Sequence, residues 1–146
     1  MTDRERALNR YVVDTNIVIA TMQGMPEAVA FMEGAESTKS EVLYSVIVEA
    51  ELFSSSVLTE DDKKDLRKLL SIGEIVDVNS GIALKAAELR ALSKRLYQRK
   101  LKLPDALVAA TALMMSASLV TRNVQDFERL VAHGLRIHNP FDPSSQ

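Results

Sequence analysis

Apolar and polar positions along this chain fall into short blocks of two alternating kinds. Tyr11 to Asp14, Val42 to Ser45, Glu74 to Val78, Ser118 to Thr121 and Leu135 to Ile137 are brief and mostly apolar. Runs of this length bounded by polar residues predict strands covered on both faces. Between them lie longer stretches with helical spacing. Pro26 to Gly34 has Pro near its start and Gly at its end, the usual asymmetry of a helix. Val46 to about Leu58 follows, then a helix from Thr59 to Leu70, in which Thr59 can cap while Glu60, Asp61 and Asp62 crowd the positive N-terminus. Ser80 caps a long helix to about Tyr97, Pro104 starts one through Met115, and Val124 to Ala132 forms a short one. The apolar run after Asn16 is a further helical segment. Parallel strands need crossover connections, so this alternation predicts a three-layer α/β/α fold with a central, mostly parallel sheet of about five short strands. Residues 11–140 form the single domain, residues 1–10 a flexible N-terminal extension and residues 141–146 a C-terminal tail.

Composition narrows the chemistry. A chain of 146 residues suits one core. No apolar run approaches the roughly 18 residues of a membrane span, and MTDRERALNR lacks the apolar centre of a secretory signal. With cysteine absent, the expectation is a cytoplasmic protein without a membrane partner, without disulfides and without thiolate metal sites. Only His133 and His138 are available for a zinc site or a Ser-His-Asp triad, and the five glycines are isolated, so no phosphate loop of the glycine-rich kind exists. The net charge of -2 hides an asymmetry. From Lys85 to Lys102 seven basic side chains face the single acid Glu88, giving +6 there and -8 elsewhere. Such a segment is either a solvated helix face or a track for phosphates.

Several acids interrupt or open apolar elements. Asp14 ends the first strand, where it either caps the following turn or marks the carboxyl end of a strand, the place ligands gather in this fold class. Asp105 follows Pro104 in LPDALVAATALMM, a helix apolar all round and therefore buried, so an ionised carboxylate there needs a cation or hydrogen bonds. In SVIVEAEL, Glu49 and Glu51 are two residues apart and cannot face one partner. Val46, Ala50, Phe53 and Val57 make one apolar stripe, and Glu51 shares its side with Ile47, Ser54 and Leu58, so periodicity leans towards Glu51. In LVTRNVQDF, Asn123 and Asp126 can act as helix cap and first-turn acid, or belong to a site. Together these acids can converge on one crevice, and clustered carboxylates without His or Cys select hard cations such as Mg²⁺ or Mn²⁺.

These blocks, in this order from about Tyr11 to Pro140, resemble the PIN domain, specifically the VapC-type toxins of prokaryotic toxin–antitoxin pairs. The resemblance implies a metal-dependent endoribonuclease acting on RNA, dimeric, and neutralised by a small antitoxin protein. It places metal ligands at Asp14 and Asp105 and selects Glu51, directly before Leu52, to position the metal or orient the attacking water. Asn16, Thr121 and Asn123 become supporting polar residues, and either Asp126 or Asn123 completes the site. Arg122 and the cluster Lys94, Arg95, Arg99, Lys100 and Lys102 would hold the RNA backbone. The alternatives are a PIN-like binding module without catalysis, a stand-alone RNA-processing nuclease of the same fold, or a receiver-type protein using Asp14 as phosphoryl acceptor.

Overall fold

The computed structural model describes residues 9–145, with the side chain of Ser145 excepted. Most of the expected N-terminal extension thus lies outside the described residues. A five-stranded sheet has the order β3-β2-β1-β4-β5, and every neighbouring pair is parallel. Its strands are β1 (Arg10–Val13), β2 (Glu41–Ser45), β3 (Glu74–Val76), β4 (Ser118–Val120) and β5 (Ile137–His138). The helices are α1 (Thr15–Met22), α2 (Pro26–Ser37), α3 (Val46–Phe53), α4 (Glu60–Leu70), α5 (Ser80–Tyr97), α6 (Leu103–Met114) and α7 (Val124–Phe127). Among the described residues no helix is long and apolar enough to cross a membrane.

The three central strands explain the continuous apolar runs. Val12, Val13, Leu43, Tyr44, Leu119 and Val120 are all buried because helices cover both faces. Helix α6 packs against α5, β1, β2 and β4. Its buried residues Ala106, Ala109, Ala110 and Ala112 let neighbouring backbones come close. The chain leaves β1 for β2 and β3 on one side, then returns to place β4 on the other side of β1. That reversal opens a crevice at the carboxyl ends of β1 and β4, the topological switch point of such sheets.

Several boundaries differ from the sequence expectation, each for a local reason. β1 begins at Arg10, whose side chain is tied to Glu41 and to the Met115 carbonyl. Helix α3 stops at Phe53, so the supposed stripe through Val57 does not exist. The face it buries is Val48 and Leu52, whereas Ala50 is exposed and Val57 is 83% exposed. Asn79 caps α5, its side chain accepting from the Ile82 N–H, where Ser80 was expected. β3 ends at Val76, two residues short of Val78. The helix expected from Val124 to Ala132 is α7 followed by a 3-10 turn, Glu128–His133, which ends at Gly134 with φ 105°. β5 lies at Ile137–His138, although Leu135 is buried. Residues expected to be a loose tail include Phe141, which packs against the core, and a short 3-10 turn, Pro143–Ser145.

Candidate active site

The site is built outward from Asp14. Its backbone N–H donates to the Val120 carbonyl at 2.9 Å, extending the β1–β4 pairing one residue past the strands. Its side chain caps α1, Oδ1 accepting from the Thr15 N–H at 2.8 Å. The turn-residue reading of Asp14 is therefore correct in itself, and it leaves Oδ2 to face other groups. Oδ2 accepts from the Thr121 hydroxyl at 2.9 Å and from Asn16 Nδ2 at 3.1 Å.

Thr121 and Asn16 form the bracket that joins the two strand ends. Thr121 is fully buried, and its hydroxyl oxygen also accepts from Asn16 Nδ2 at 3.2 Å and from the Asn123 backbone N–H at 3.1 Å. Asn16 Oδ1 accepts from the Arg122 backbone N–H at 2.9 Å. Each polar atom in this bracket is matched, which fixes the rotamer of Asp14 in a buried setting. Even so, burial raises the Asp14 carboxyl above its ordinary value, against the pull of the Thr121 and Thr15 bonds, and Glu51 adds a like-charge push in the same direction.

Glu51 reaches the site from α3: its Oε1 accepts from Thr15 Oγ1 at 3.3 Å. Glu51 is exposed, so the expected buried setting is absent, and its side chain lies beside Thr15 and close enough to Asp14 for their charges to interact. Glu49 points elsewhere, into a groove with Val46, Phe53, Arg67 and Leu70.

Asp105 stands half-buried in the first turn of α6, just after Pro104. Burial raises its carboxyl, the nearby charges of Asp14 and Asp126 raise it further, and Lys102 and Arg129 pull it down. Asp126, exposed on α7, lines a small cavity with Asp105. Asn123 enters the site through its backbone N–H; its side chain makes no capping bond on α7. Among the described residues, no three His, Asp or Glu side chains are grouped closely enough to chelate an ion unaided. A hard cation such as Mg²⁺ commonly takes only one or two protein carboxylates, and Asp14 and Asp105 are the acids here that could supply them.

The expected basic track divides. Arg99, Lys100 and Lys102 line the cavity beside Asp105. Lys94 and Arg95 are exposed in the last turn of α5, where they complement the helix dipole, and are not part of that lining. Arg122 is exposed, with its guanidinium 4.1 Å from the centre of the Phe141 ring. Arg90, counted in the same basic segment, donates from Nε to the Leu101 carbonyl at 2.9 Å. The sequence reading missed Arg129, which shares the cavity with Asp105 and Asp126.

A family profile described as the PIN domain matches residues 11–132. The chain belongs to the PIN domain family. It is similar to Ribonuclease VapC1 of Haemophilus influenzae, 28% identical over 123 residues, covering 82% of this chain and 91% of that protein. The solved structure of VapBC2 from Rickettsia felis, bound to a DNA fragment from their promoter, superposes with TM-score 0.79 at 27% identity, covering 89% of this chain and 98% of that one. A toxin–antitoxin complex from Klebsiella pneumoniae superposes with TM-score 0.71 at 28% identity, covering 90% and 98% of the two chains. This PIN fold has the expected α/β/α layers, with a sheet that is parallel throughout.

Proposed function

We propose that this protein is a ribonuclease toxin of a toxin–antitoxin pair, hydrolysing RNA phosphodiester bonds inside the chain with help from Mg²⁺ or Mn²⁺. The observation that carries this reading is the gathering of Asp14, Glu51, Asp105 and Asp126 at the switch point of a PIN domain, beside Arg99, Lys100 and Lys102. Its likeness to Ribonuclease VapC1 supports the activity, and its likeness to a toxin–antitoxin complex supports a small antitoxin partner.

The donor set fits a hard divalent cation. Asp14 and Asp105 offer carboxylate oxygens, cysteine is absent, and the histidines are engaged elsewhere: His133 with the Tyr97 hydroxyl at 2.9 Å, His138 against the Phe31 ring at 5.2 Å. Burial raises both carboxyls, like charge raises them further (Glu51 on Asp14; Asp14 and Asp126 on Asp105), and a bound cation would offset both effects. Such a cation, when bound, supplies a water of lowered pKa and stabilises charge on the leaving oxygen. Asp14 keeps a fixed position through Thr121, Thr15 and Asn16. Glu51, wet and adjacent, orients the attacking water and accepts its proton at Oε1 or Oε2. Asp126 takes the fourth position in preference to Asn123, because its charge is the one felt by Asp105. Arg99, Lys100, Lys102 and Arg122 hold phosphates of the RNA, with Lys94 and Arg95 as a more distant positive surface.

A homodimer belongs to the same reading. Met114 is 51% exposed, Leu84 is 68% exposed, and Met114 lies over Gly81, which shares a helix face with Leu84. This leaves an apolar patch on α5 and α6 for a second copy. The deciding experiment for the activity is incubation of purified protein with mixed-sequence RNA. Cleavage is expected with Mg²⁺ or Mn²⁺ and none with EDTA; cleavage that persists in EDTA overturns the metal-dependent reading.

A further inference from the structure

Arg129 is a cation of the site whose side chain is hydrogen-bonded on two sides. Its Nε donates to Ser93 Oγ at 2.7 Å, and its Nη1 donates to the Asp126 carbonyl at 3.1 Å. Ser93 is fully buried inside α5, and its hydroxyl proton goes to the Arg99 carbonyl at 2.7 Å. A single hydroxyl thus accepts from the guanidinium on one side of the crevice and secures the basic loop on the other. Ser93 cannot rotate without giving up one of these bonds, so the plane of the guanidinium is set. The bonds engage Nε and Nη1, and among the described residues nothing bonds to Nη2.

Between these two walls lies a cavity of about 70 Å³. Arg99, Lys100, Lys102 and Arg129 contribute four positive charges to its lining, against Asp105 and Asp126. It is small, predominantly positive and directly beside an acid of the metal site. A planar guanidinium fork matches the oxygens of a phosphate better than a lysine does. We propose that this cavity is a phosphodiester-binding pocket of the RNA, with Arg129 as its gripping cation and Ser93 as the positioning residue that aims it. The proposal rests on the ribonuclease reading, and adds where the strand lies: one phosphate sits on the Asp105–Asp126 side, between α6 and the 3-10 turn.

The test is binding of a fluorescein-labelled single-stranded oligoribonucleotide of mixed sequence, measured by anisotropy in EDTA over a series of salt concentrations. Lys39→Gln serves as a control that removes a charge from the far end of the sheet, where β2 begins. Arg129→Gln is expected to weaken binding about tenfold, since it removes a charged hydrogen bond. It should also reduce the slope of log affinity against log salt by about 0.7, the loss of one phosphate contact on a single strand. Arg129→Lys should keep the wild-type slope yet bind more weakly, and Ser93→Ala should do the same. Thermal melts of all four variants separate a binding defect from a folding defect, and the lysine variant reports on the charge even where the glutamine variant melts early. An Arg129→Gln curve that matches Lys39→Gln in affinity and slope overturns the pocket while the ribonuclease reading survives. Wild-type protein that does not bind the oligoribonucleotide overturns both. A poly-glutamate peptide that binds with dependence on Arg129, where the RNA shows none, overturns the RNA assignment and moves the pocket to a protein partner.

Discussion

Asp14 and Asp105 approach the same crevice from opposite kinds of surroundings. Asp14 is buried behind a closed set of neutral donors that reach it from α1 and from the end of β4. Asp105 is half-buried at the start of a helix; burial still raises its carboxyl most, but its neighbours are charges, Asp14, Asp126, Lys102 and Arg129, where those of Asp14 are mainly neutral donors. One side of the site is fixed by hydrogen bonds and shielded from solvent; the other is wet, tuned by charge and lined for an anion. The contrast teaches how one crevice can be rigid at one wall and adaptable at the other. Electrostatics act strongly on the dry side and are screened on the wet one.

The largest effect comes from removing either carboxylate. Asp14→Asn and Asp105→Asn should each reduce RNA cleavage by roughly a thousandfold, since both remove charge that a bound cation requires and forfeit several kcal/mol of transition-state stabilisation. Single-turnover cleavage with Mg²⁺ checks this. Substantial cleavage by either variant would show that one side suffices alone, and the two-sided description would be wrong.

Next in size is the bracket. Thr121→Val keeps the shape and removes the hydroxyl that donates to Asp14 Oδ2 and accepts from Asn16 and Asn123. A loss of about 100-fold is expected, the upper end of the cost of an outer-shell partner. It should appear mainly as weaker Mg²⁺ dependence, and titration of activity with Mg²⁺ reads it. Glu51→Gln should cost about as much, roughly 100-fold, the lower end of what a general base contributes, since the amide cannot take up the proton. Glu49→Gln should leave cleavage unchanged, since Glu49 lies in a different groove. Equal losses at the two glutamates would dissolve the distinction.

The same contrast governs what the sequence disclosed. The dry half was legible: an apolar run that stops at Asp14 and another that stops at Thr121 are patterns that burial itself produces. Strand order is absent from the linear pattern, so the adjacency of Asp14 and Thr121 became visible only with β1 and β4 side by side. The wet half was read less well. Helix α3 has only two turns, and the expected Val46–Val57 stripe assumed a longer one. Periodicity leans towards Glu51 for an apolar setting it does not have; the resemblance favours it on other grounds, and in the fold it reaches Thr15. Arg129 had no linear signal, lying in a 3-10 turn. Ser93 had one. It continues the buried series Ile82, Ala86 and Leu89 on α5, and a hydroxyl at a core position must find partners.

The smallest effect, and the most direct measure of how dry the Asp14 side is, lies in stability against pH. Burial raises the Asp14 carboxyl in the folded chain, so the folded state binds that proton more tightly than the unfolded state does. Stability from such a group is present below its unfolded pKa and is lost as pH rises through the higher, folded one. In EDTA, the melting temperature of the wild type should therefore decline relative to Asp14→Asn as pH climbs from about 4, the ordinary carboxylate value. The pH dependence of the difference is the readout, because Asn also disturbs the donors around Oδ2 at every pH. Asp105→Asn should show the same trend more weakly, since Asp105 is more open to solvent and Lys102 and Arg129 offset part of its rise. Adding Mg²⁺ should flatten the wild-type decline, because a cation restores favour to the ionised form on both sides. A difference that stays constant with pH would mean that the bracket of Thr121, Thr15 and Asn16 compensates the burial of Asp14 fully, and that its side of the site is no less comfortable for charge than the wet one.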